Sequence, residues 1–349
     1  MGLRWKGLKK LPYNSYIMDN DKVVEAVNML LTDCINHEKW EQAYLRYANN
    51  LMTKKDNYSA ARTKFRMPKP MYAYSSITMA SNSPSFDIRV HGQSVGVIQV
   101  KKGNVVLLDV SPEKAAHTKE YFHLDYFPVK SKEWDSSNEA MKFRSMFKDK
   151  EFGRLKSEEH RIENLLLAEF SKRLRSDGKI LCNIQPVKLS NCFFQLTTPL
   201  KASTHSPSFS MNKRGGATGG GIDILARIKH SASDTRLAII ELKDDNKNSE
   251  PQKDVMIQAL SYATFIGHLL RSKAGRKWWS LFNYNGSIPD ALNLDVVSLM
   301  PKGSSEEGCL TPISIKSLNV VLTPYTLYYE LNDKGQITGF SGTLLNEIM

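Results

Sequence analysis

A short run that is apolar on both faces constrains the fold of this chain more than any other stretch. Residues 237–243 read LAIIELK, and successive side chains of a strand point to opposite faces, so both faces stay apolar until Glu241 and Lys243. A strand without a polar face is buried, as in sheets that are covered on both sides. Glu241 and Lys243 are two residues apart and therefore share one face. We expect a buried strand whose end carries an acid and a base.

A second strand precedes this run. Over residues 221–228, apolar and other residues alternate, with Asp223 in mid-strand, and a polar loop leads to the buried run, which favours an antiparallel hairpin. Pairing Ile228 with Arg236 sets the register of that hairpin. Asp223 then lies opposite Glu241, with the two Cβ atoms about 5 Å apart. Two carboxylates in this arrangement repel each other unless a cation lies between them, and Mg²⁺ prefers such oxygen ligands.

The charge and length of the chain suggest its class and partners. Its formal net charge of +12 favours a polyanionic partner such as nucleic acid, and 349 residues are enough for two domains. The sequence has no apolar stretch of the roughly 18–20 residues that a membrane helix needs and no signal-peptide core, so we expect a cytoplasmic protein without a membrane partner. The cysteines lack zinc-ligand spacing and are expected to be buried free thiols: Cys34, Cys182, Cys192 and Cys309.

We place a domain boundary near residue 150, within a charged stretch that is broken by Gly153. Residues 1–150 are predicted to form an accessory α+β domain, with helices between residues 20 and 66 and a three-stranded meander over residues 86–110. This domain is a candidate for binding nucleic acid or a partner. Residues 54–74 mix basic side chains with aromatic ones, including Tyr72 and Tyr74. The mixture is typical either of phosphate contacts with base stacking or of a solvated basic helix face.

Residues 151–349 are predicted to form a second domain in the order helix, strand, strand, strand, helix, strand. Its first helix carries Glu163 beside the apolar stripe. A loop rich in serine and glycine precedes the hairpin and carries Lys213 and Arg214. The helix after the hairpin places Gln258 and Tyr262 four residues apart, and therefore on one face.

This order resembles the core of the PD-(D/E)XK nuclease superfamily. The resemblance rests on Gly221-Ile222-Asp223, on Glu241-Leu242-Lys243 and on a Gln258-x-x-x-Tyr262 motif that is similar to one in the exonuclease-like branch. It covers residues 157–301, and Ile222 takes the place of the proline in the family's name. The resemblance implies an α/β fold with a restriction-endonuclease-like αβββαβ core and a mixed sheet.

The resemblance also implies a role for each matching residue. Asp223 and Glu241 would hold Mg²⁺, for which Mn²⁺ can substitute, together with the backbone carbonyl of Leu242. Lys243 would orient or help deprotonate the attacking water, and Glu163 would complete the metal shell.

Substrate contacts are expected around this centre. Gln258 and Tyr262 would contact the substrate strand or brace the site. Lys213 and Arg214, in the basic loop at its mouth, are predicted to bind substrate.

The function expected from these residues is Mg²⁺-dependent hydrolysis of DNA phosphodiester bonds, in phage defence, restriction or DNA repair. Two alternatives remain open at this point: a catalytically silent nucleic-acid-binding protein with a nuclease fold, and a ribonuclease. A homodimer or a partner subunit within a larger system is also compatible with the sequence.

Overall fold

The structure is a computed structural model of the chain. It describes residues 19–61, 67–76, 85–101, 105–148, 150, 158–172, 179–189, 192–202, 206–244, 251–304 and 310–348, with the side chains of residues 54–61 left out. The basic part of the segment 54–74 therefore lies mostly outside the described residues, as does Cys309.

The elements follow one another in a mixed α/β order. The helices in the described residues are α1 (Asn20–Thr32), α2 (Cys34–Ala61), α3 (Pro112–Phe122), α4 (Asn138–Phe147), α5 (Glu158–Phe170), α6 (Gln252–Arg271), α7 (Gly275–Leu281) and α8 (Leu345–Ile348). The strands are β1 (Met71–Ser76), β2 (Ser85–Val90), β3 (Gln93–Lys101), β4 (Val105–Val110), β5 (Val129–Glu133), β6 (Ile184–Pro186), β7 (Lys188–Leu189), β8 (Cys192–Thr197), β9 (Leu200–Lys201), β10 (Ser208–Phe209), β11 (Gly221–Ile222), β12 (Ile224–Lys229), β13 (Thr235–Leu242), β14 (Leu292–Pro301), β15 (Ile313–Ile315), β16 (Val320–Leu331) and β17 (Ile337–Ser341). A 3-10 turn, Lys316–Leu318, precedes β16.

The strands form two large sheets and a small pair. The central sheet has the order β15-β16-β14-β13-β12-β6, with β17 paired to β16. The meander sheet has the order β11-β8-β1-β2-β3-β4-β5, with β7 paired to β8. Strands β9 and β10 pair separately. The predicted meander of β2, β3 and β4 is confirmed, because these strands pair antiparallel in sequence order.

The central sheet is covered on both faces. In β13, Leu237 and Ile239 pack into one hydrophobic cluster with α6, whereas Ala238 and Ile240 pack into another with α5. The prediction of a strand buried on both faces is therefore confirmed. β13 is antiparallel to β12 and parallel to β14, and α6 lies in the crossover that a parallel pair requires.

The two segments on either side of residue 150 share sheets and cores. β8 and β11, which follow that position, belong to the meander sheet, and β8 pairs parallel with β1. In the first segment, α1 and α2 bury Val27, Trp40 and Tyr44 in the same hydrophobic cluster as α6 and α7. The predicted boundary thus does not coincide with a division of the sheets or of the hydrophobic core.

Two expectations from the sequence are corrected by burial. Tyr74, considered for base stacking, is buried in the cluster between the meander sheet and α5. Of the cysteines predicted to be buried, Cys192 is buried, but Cys34 and Cys182 are exposed. Among the described helices, none has the length and apolarity that crossing a membrane requires.

Candidate active site

Asp223 lies at a bend where the chain passes from one sheet to the other. β11, just before it, pairs with β8 of the meander sheet, and β12, just after it, pairs with β13 of the central sheet. The sequence predicted Asp223 in the middle of one strand, which is wrong. The strand is interrupted at Asp223, because Ile222 pairs in the meander sheet and Ile224 in the central sheet. The bend between them carries the carboxylate.

Asp223 and Glu241 come together as the hairpin register predicts. Ile228 pairs with Arg236 and Ile224 with Ile240, so the bend with Asp223 follows at the level of Glu241. The bend is also held directly, because Asp223 Oδ2 accepts a hydrogen bond of 2.9 Å from the backbone N–H of Leu242. The acid of one strand is thereby anchored to the strand that carries the other.

Glu241 is completely buried and short of donors. Its side chain is 0% exposed, and among the described residues neither carboxylate oxygen makes a hydrogen bond of normal geometry; the nearest donor is the backbone N–H of Asp223, which lowers the pKa of Glu241 without cancelling the effect of burial. A buried carboxylate without donors is costly in its charged form unless a cation neutralises it. Burial, followed by the charge of Asp223, raises the pKa of Glu241 well above its ordinary value.

Asp223 has a raised pKa for related reasons. Burial is the largest cause, and the charges of Glu163 and Glu159 add to it, which together raise the pKa of Asp223 to about 7. The Leu242 N–H and the charge of Lys243 act in the opposite direction without cancelling the effect. The site therefore holds more negative charge than its own donors and cations stabilise.

Helix α5 supplies two of these acids. Glu163 is 3% exposed, and its Oε2 lies 3.5 Å from Nδ1 of His160, one turn earlier on the helix. The hydrogen bond with Glu163 raises the pKa of His160. The sequence predicted Glu163 at the site but missed Glu159. The sequence signal for Glu159 was its position four residues before Glu163, which places both side chains on the same face of α5.

Lys243 is held at the end of β13 by its backbone. Its N–H donates to the carbonyl of Leu299 at 3.0 Å, and its carbonyl accepts from the Tyr329 hydroxyl at 3.0 Å. Its Nζ lies 3.6 Å from Oε2 of Glu159. The ammonium group therefore stands among the acids of the site, as the sequence predicted.

The backbone carbonyl of Leu242, predicted as a ligand, lies on the appropriate strand edge. In a strand, the N–H and C=O of one residue point towards the same neighbouring strand. Because the Leu242 N–H reaches Asp223, its carbonyl also points to that edge. Carboxylate and carbonyl oxygens together form a donor set that suits Mg²⁺.

Gln258 and Tyr262 adjoin each other on α6, as predicted. Gln258 Nε2 lies 3.5 Å from the Tyr262 hydroxyl, and Tyr262 is 1% exposed. The hydroxyl packs against Gly220, where an added Cβ would lie 1.8 Å from the oxygen. Tyr262 therefore braces the chain just before Asp223, and Gln258 is the more accessible of the two.

The glycine-containing loop that carries Lys213 and Arg214 is tied to its surroundings. Asn212 Oδ1 accepts from the N–H groups of Arg214 and Gly216 at 2.9 Å, and the Tyr47 hydroxyl accepts from the Ala217 N–H at 2.9 Å. Both basic side chains are exposed. Among the hydrogen bonds and ion pairs of the described residues, none joins Lys213 or Arg214 to Asp223 or Glu241.

Metal ligation is supported by chemistry rather than by a ready-made cluster. Within the described ranges, no three His, Cys, Asp or Glu side chains are already arranged as a ligand group. The buried oxygens of Glu241 and the raised pKa values of both acids nevertheless fit a site that a divalent cation would stabilise. A comparison of the chain with protein-family models, with curated proteins and with solved structures matched none of them.

Proposed function

We propose that this protein is a Mg²⁺-dependent nuclease that hydrolyses phosphodiester bonds of DNA. The observation that carries the proposal is the pair of half-buried Asp223 and fully buried Glu241, with the ammonium group of Lys243 beside it. Two neighbouring carboxylates with raised pKa values, placed next to a lysine at the end of a buried strand, favour a reaction centre over a surface ion pair.

The order of elements supports the same proposal. Helix α5, strands β6, β12 and β13, helix α6 and strand β14 follow the αβββαβ order of the PD-(D/E)XK superfamily. Within the central sheet these strands lie side by side as β6, β12, β13 and β14, and only the last pair is parallel. In this proposal the core of the nuclease corresponds to these elements, and the meander sheet is an addition to it.

Each residue of the site has a task in this reaction. Asp223, Glu241 and the Leu242 carbonyl would hold Mg²⁺ or Mn²⁺, with Glu163 as a further candidate. The cation, when bound, supplies a Lewis acid for the phosphoryl oxygen and lowers the pKa of water. The Leu242 N–H keeps the Asp223 carboxylate in place. Lys243 orients the attacking water or stabilises negative charge on the phosphoryl oxygens.

Cleavage assays test the proposal directly. Purified protein is incubated with linear, circular and single-stranded DNA and with RNA, in Mg²⁺, Mn²⁺ or EDTA. We expect cleavage of DNA that requires the metal and is lost in Asp223→Asn and Lys243→Ala. Asp234→Asn is a matched control, because Asp234 lies at the opposite end of the same hairpin, where it pairs with Arg236.

The outcomes separate the alternatives. Equal cleavage by Asp223→Asn and the parent would remove the site assignment. Cleavage of RNA alone would identify a ribonuclease. Binding of nucleic acid without cleavage in any condition would identify a silent binding protein.

A further inference from the structure

The meander sheet contacts α5, the helix that carries Glu163, through the turn between β2 and β3. His91 and Gly92 connect β2 to β3 and both have positive φ, 45° and 76°. Gly92 packs directly on α5, because a Cβ at this position would lie 2.4 Å from the Cβ of His160. On the same side of α5, Asn164 Nδ2 donates to the Tyr74 hydroxyl of β1 at 3.4 Å. The helix that carries Glu163 is thus in contact with β1 and with the turn after β2.

Arg89 of β2 is held by Gln195 of β8, the strand that borders β11 just before the bend with Asp223. Both terminal nitrogens of its guanidinium donate to Gln195 Oε1 at 3.2 Å, and Arg89 Cζ lies 4.3 Å from the centre of the Tyr74 ring. Gln195 belongs to β8, which pairs Leu196 with Ile222. The Gln195 side chain also lies beside Gly221, where an added Cβ would be 3.6 Å from its Nε2. The partner of the guanidinium therefore lies next to Leu196, the residue that pairs with the last strand residue before the bend.

The cluster around Arg89 carries a surplus of positive charge. The Asp87 carboxylate forms ion pairs with Arg89 Nε at 2.9 Å and with Lys114 Nζ at 2.7 Å, so two cations share one carboxylate. Arg89 is 19% exposed, Lys114 is 23% exposed and Asp87 is 20% exposed. A surplus charge in a half-buried position acts on an anion more strongly than one that is fully solvated.

A cation at this position would reduce the repulsion between the acids of the site and a negatively charged nucleic-acid strand. The site contains the acids Glu159 and Glu163 beside Asp223. A bound metal ion neutralises negative charge only near itself, so the remaining acids repel the phosphates of a nucleic-acid strand. A guanidinium has five N–H groups in a planar array, of which three in Arg89 donate to Asp87 and Gln195, so two remain to bind phosphate oxygens in a defined geometry. We infer that Arg89, supported by Lys114, forms a phosphate subsite that holds the nucleic-acid strand next to the Asp223 and Glu241 pair.

This inference rests on the proposed function, because it takes the carboxylate pair as the place where the strand is cut. It also assigns a task to the first segment of the chain. The meander sheet supplies a binding residue for the phosphate backbone, and the central sheet supplies the reacting centre. Arg89 is a binding residue in this proposal, since it would contact a phosphate of the nucleic-acid strand and not the reacting atoms.

Binding measurements without metal test the subsite separately from cleavage. Labelled single-stranded and double-stranded oligonucleotides are titrated in EDTA, with fluorescence anisotropy as the readout, between about 50 and 200 mM salt. We expect Arg89→Gln to weaken binding about three- to tenfold at the lowest salt and to reduce the slope of log K against log salt by about 1. Arg276→Gln is the matched control, because Arg276 is exposed on α7, beyond the end of α6 that is distant from Glu241.

A second variant separates phosphate binding from support of the fold. Asp87→Asn removes the carboxylate that Arg89 and Lys114 share, so binding should tighten if these cations bind phosphate. If their role were structural alone, both Asp87→Asn and Arg89→Gln would weaken binding in parallel with a lower melting temperature. Equal affinity and equal slope for Arg89→Gln and Arg276→Gln, or weaker binding by Asp87→Asn, would overturn the inference. So would a parent protein that binds none of the oligonucleotides.

The two proposals can fail independently. Binding that depends on Arg89, in a parent that cleaves nothing, would remove the nuclease and keep the subsite. Metal-dependent cleavage with affinity unchanged in Arg89→Gln would keep the nuclease and remove the subsite.

Discussion

The carboxyl group of Asp223 is tied to Leu242, the residue between Glu241 and Lys243. The hydrogen bond from the Leu242 N–H to Asp223 Oδ2 measures 2.9 Å and crosses from β13 to the bend before β12. Because this bond anchors one acid to the strand of the other, the fold itself holds the two carboxylates together. The free energy of the folded protein must therefore depend on whether these acids are charged.

This dependence predicts how stability changes with pH. Asp223 has a pKa of about 7 in the fold, against an ordinary value of 3.8. The folded state therefore binds a proton more tightly than the unfolded state, and stability falls as pH rises between these two values. In EDTA we expect the stabilising contribution of Asp223, measured as the melting temperature of the parent minus that of Asp223→Asn, to fall between pH 5 and pH 7 by an amount that reflects up to a few kcal/mol; His91 and His268, whose pKa values burial lowers to about 4, act in the opposite direction in both proteins. Calorimetry at several pH values measures the change.

The variant Asp223→Asn should flatten this profile. An asparagine oxygen can still accept the bond from Leu242, but it adds no charge beside Glu241. Above pH 7 the variant should therefore melt at a higher temperature than the parent. Asp234→Asn should retain the parent's profile. Identical pH dependence in the parent and in Asp223→Asn would contradict the assignment of the raised pKa to this residue.

A divalent cation should stabilise the fold through Glu241. A ligand that binds only the folded state raises the melting temperature by mass action. We expect Mg²⁺ or Mn²⁺ to raise the melting temperature by a few degrees at pH 8, and by less at pH 5, where protons compete for the carboxylates. Glu241→Gln should abolish the response. Asp295→Asn is the control, since Asp295 is also fully buried but pairs with His230; a response equal to the parent's in Glu241→Gln would argue against ligation there.

The part of the site that lies on β13 could be predicted from the sequence. The run from Leu237 to Ile240 has no polar face, which indicated an interior strand, and a single polar loop left few registers for the hairpin. The observed pairing of Ile228 with Arg236 is the predicted one. Local patterns were sufficient because β13 positions both Glu241 and Lys243. Asp223 is positioned by β12, which is the strand next to β13 along the chain.

The contacts made across the chain could not be predicted. Asp223 lies at a bend because Ile222 pairs with Leu196 of the meander sheet, which a local alternation of apolar residues does not reveal. Arg89 is more than a hundred positions from Gln195, and no periodicity connects them. Glu159 was missed for a different reason: the helix dipole favours acids in the first turn of a helix whatever their function, so its spacing from Glu163 did not distinguish a site residue from an ordinary first-turn acid.

The packing of Gly220 against Tyr262 predicts a rescue between two substitutions. Gly220→Ala would place a Cβ 1.8 Å from the Tyr262 hydroxyl oxygen, and the chain before Asp223 would have to move. We expect a loss of about 1–3 kcal/mol in unfolding free energy. Tyr262→Phe removes that oxygen and should restore part of the loss in the double variant, although the ring carbon still lies 2.9 Å away. Denaturant unfolding of both single variants and the double variant gives the coupling energy, and strictly additive losses would exclude the contact.

Lys243 should affect cleavage without affecting metal binding. Its ammonium group lies 3.6 Å from Glu159 and beside the carboxylate pair, but a cation cannot ligate Mg²⁺. In Lys243→Gln we expect kcat to fall by about two to four orders of magnitude, as for loss of a group that acts on the reacting water or phosphoryl oxygens. The rise in melting temperature with Mg²⁺ should persist, because Asp223 and Glu241 are intact. Lys302→Gln, at an exposed pair with Glu330, controls for the lost charge and should cleave as the parent does. If Lys243→Gln retained full kcat, or lost its response to Mg²⁺ as Glu241→Gln is expected to do, Lys243 would have no separate role in the chemical step.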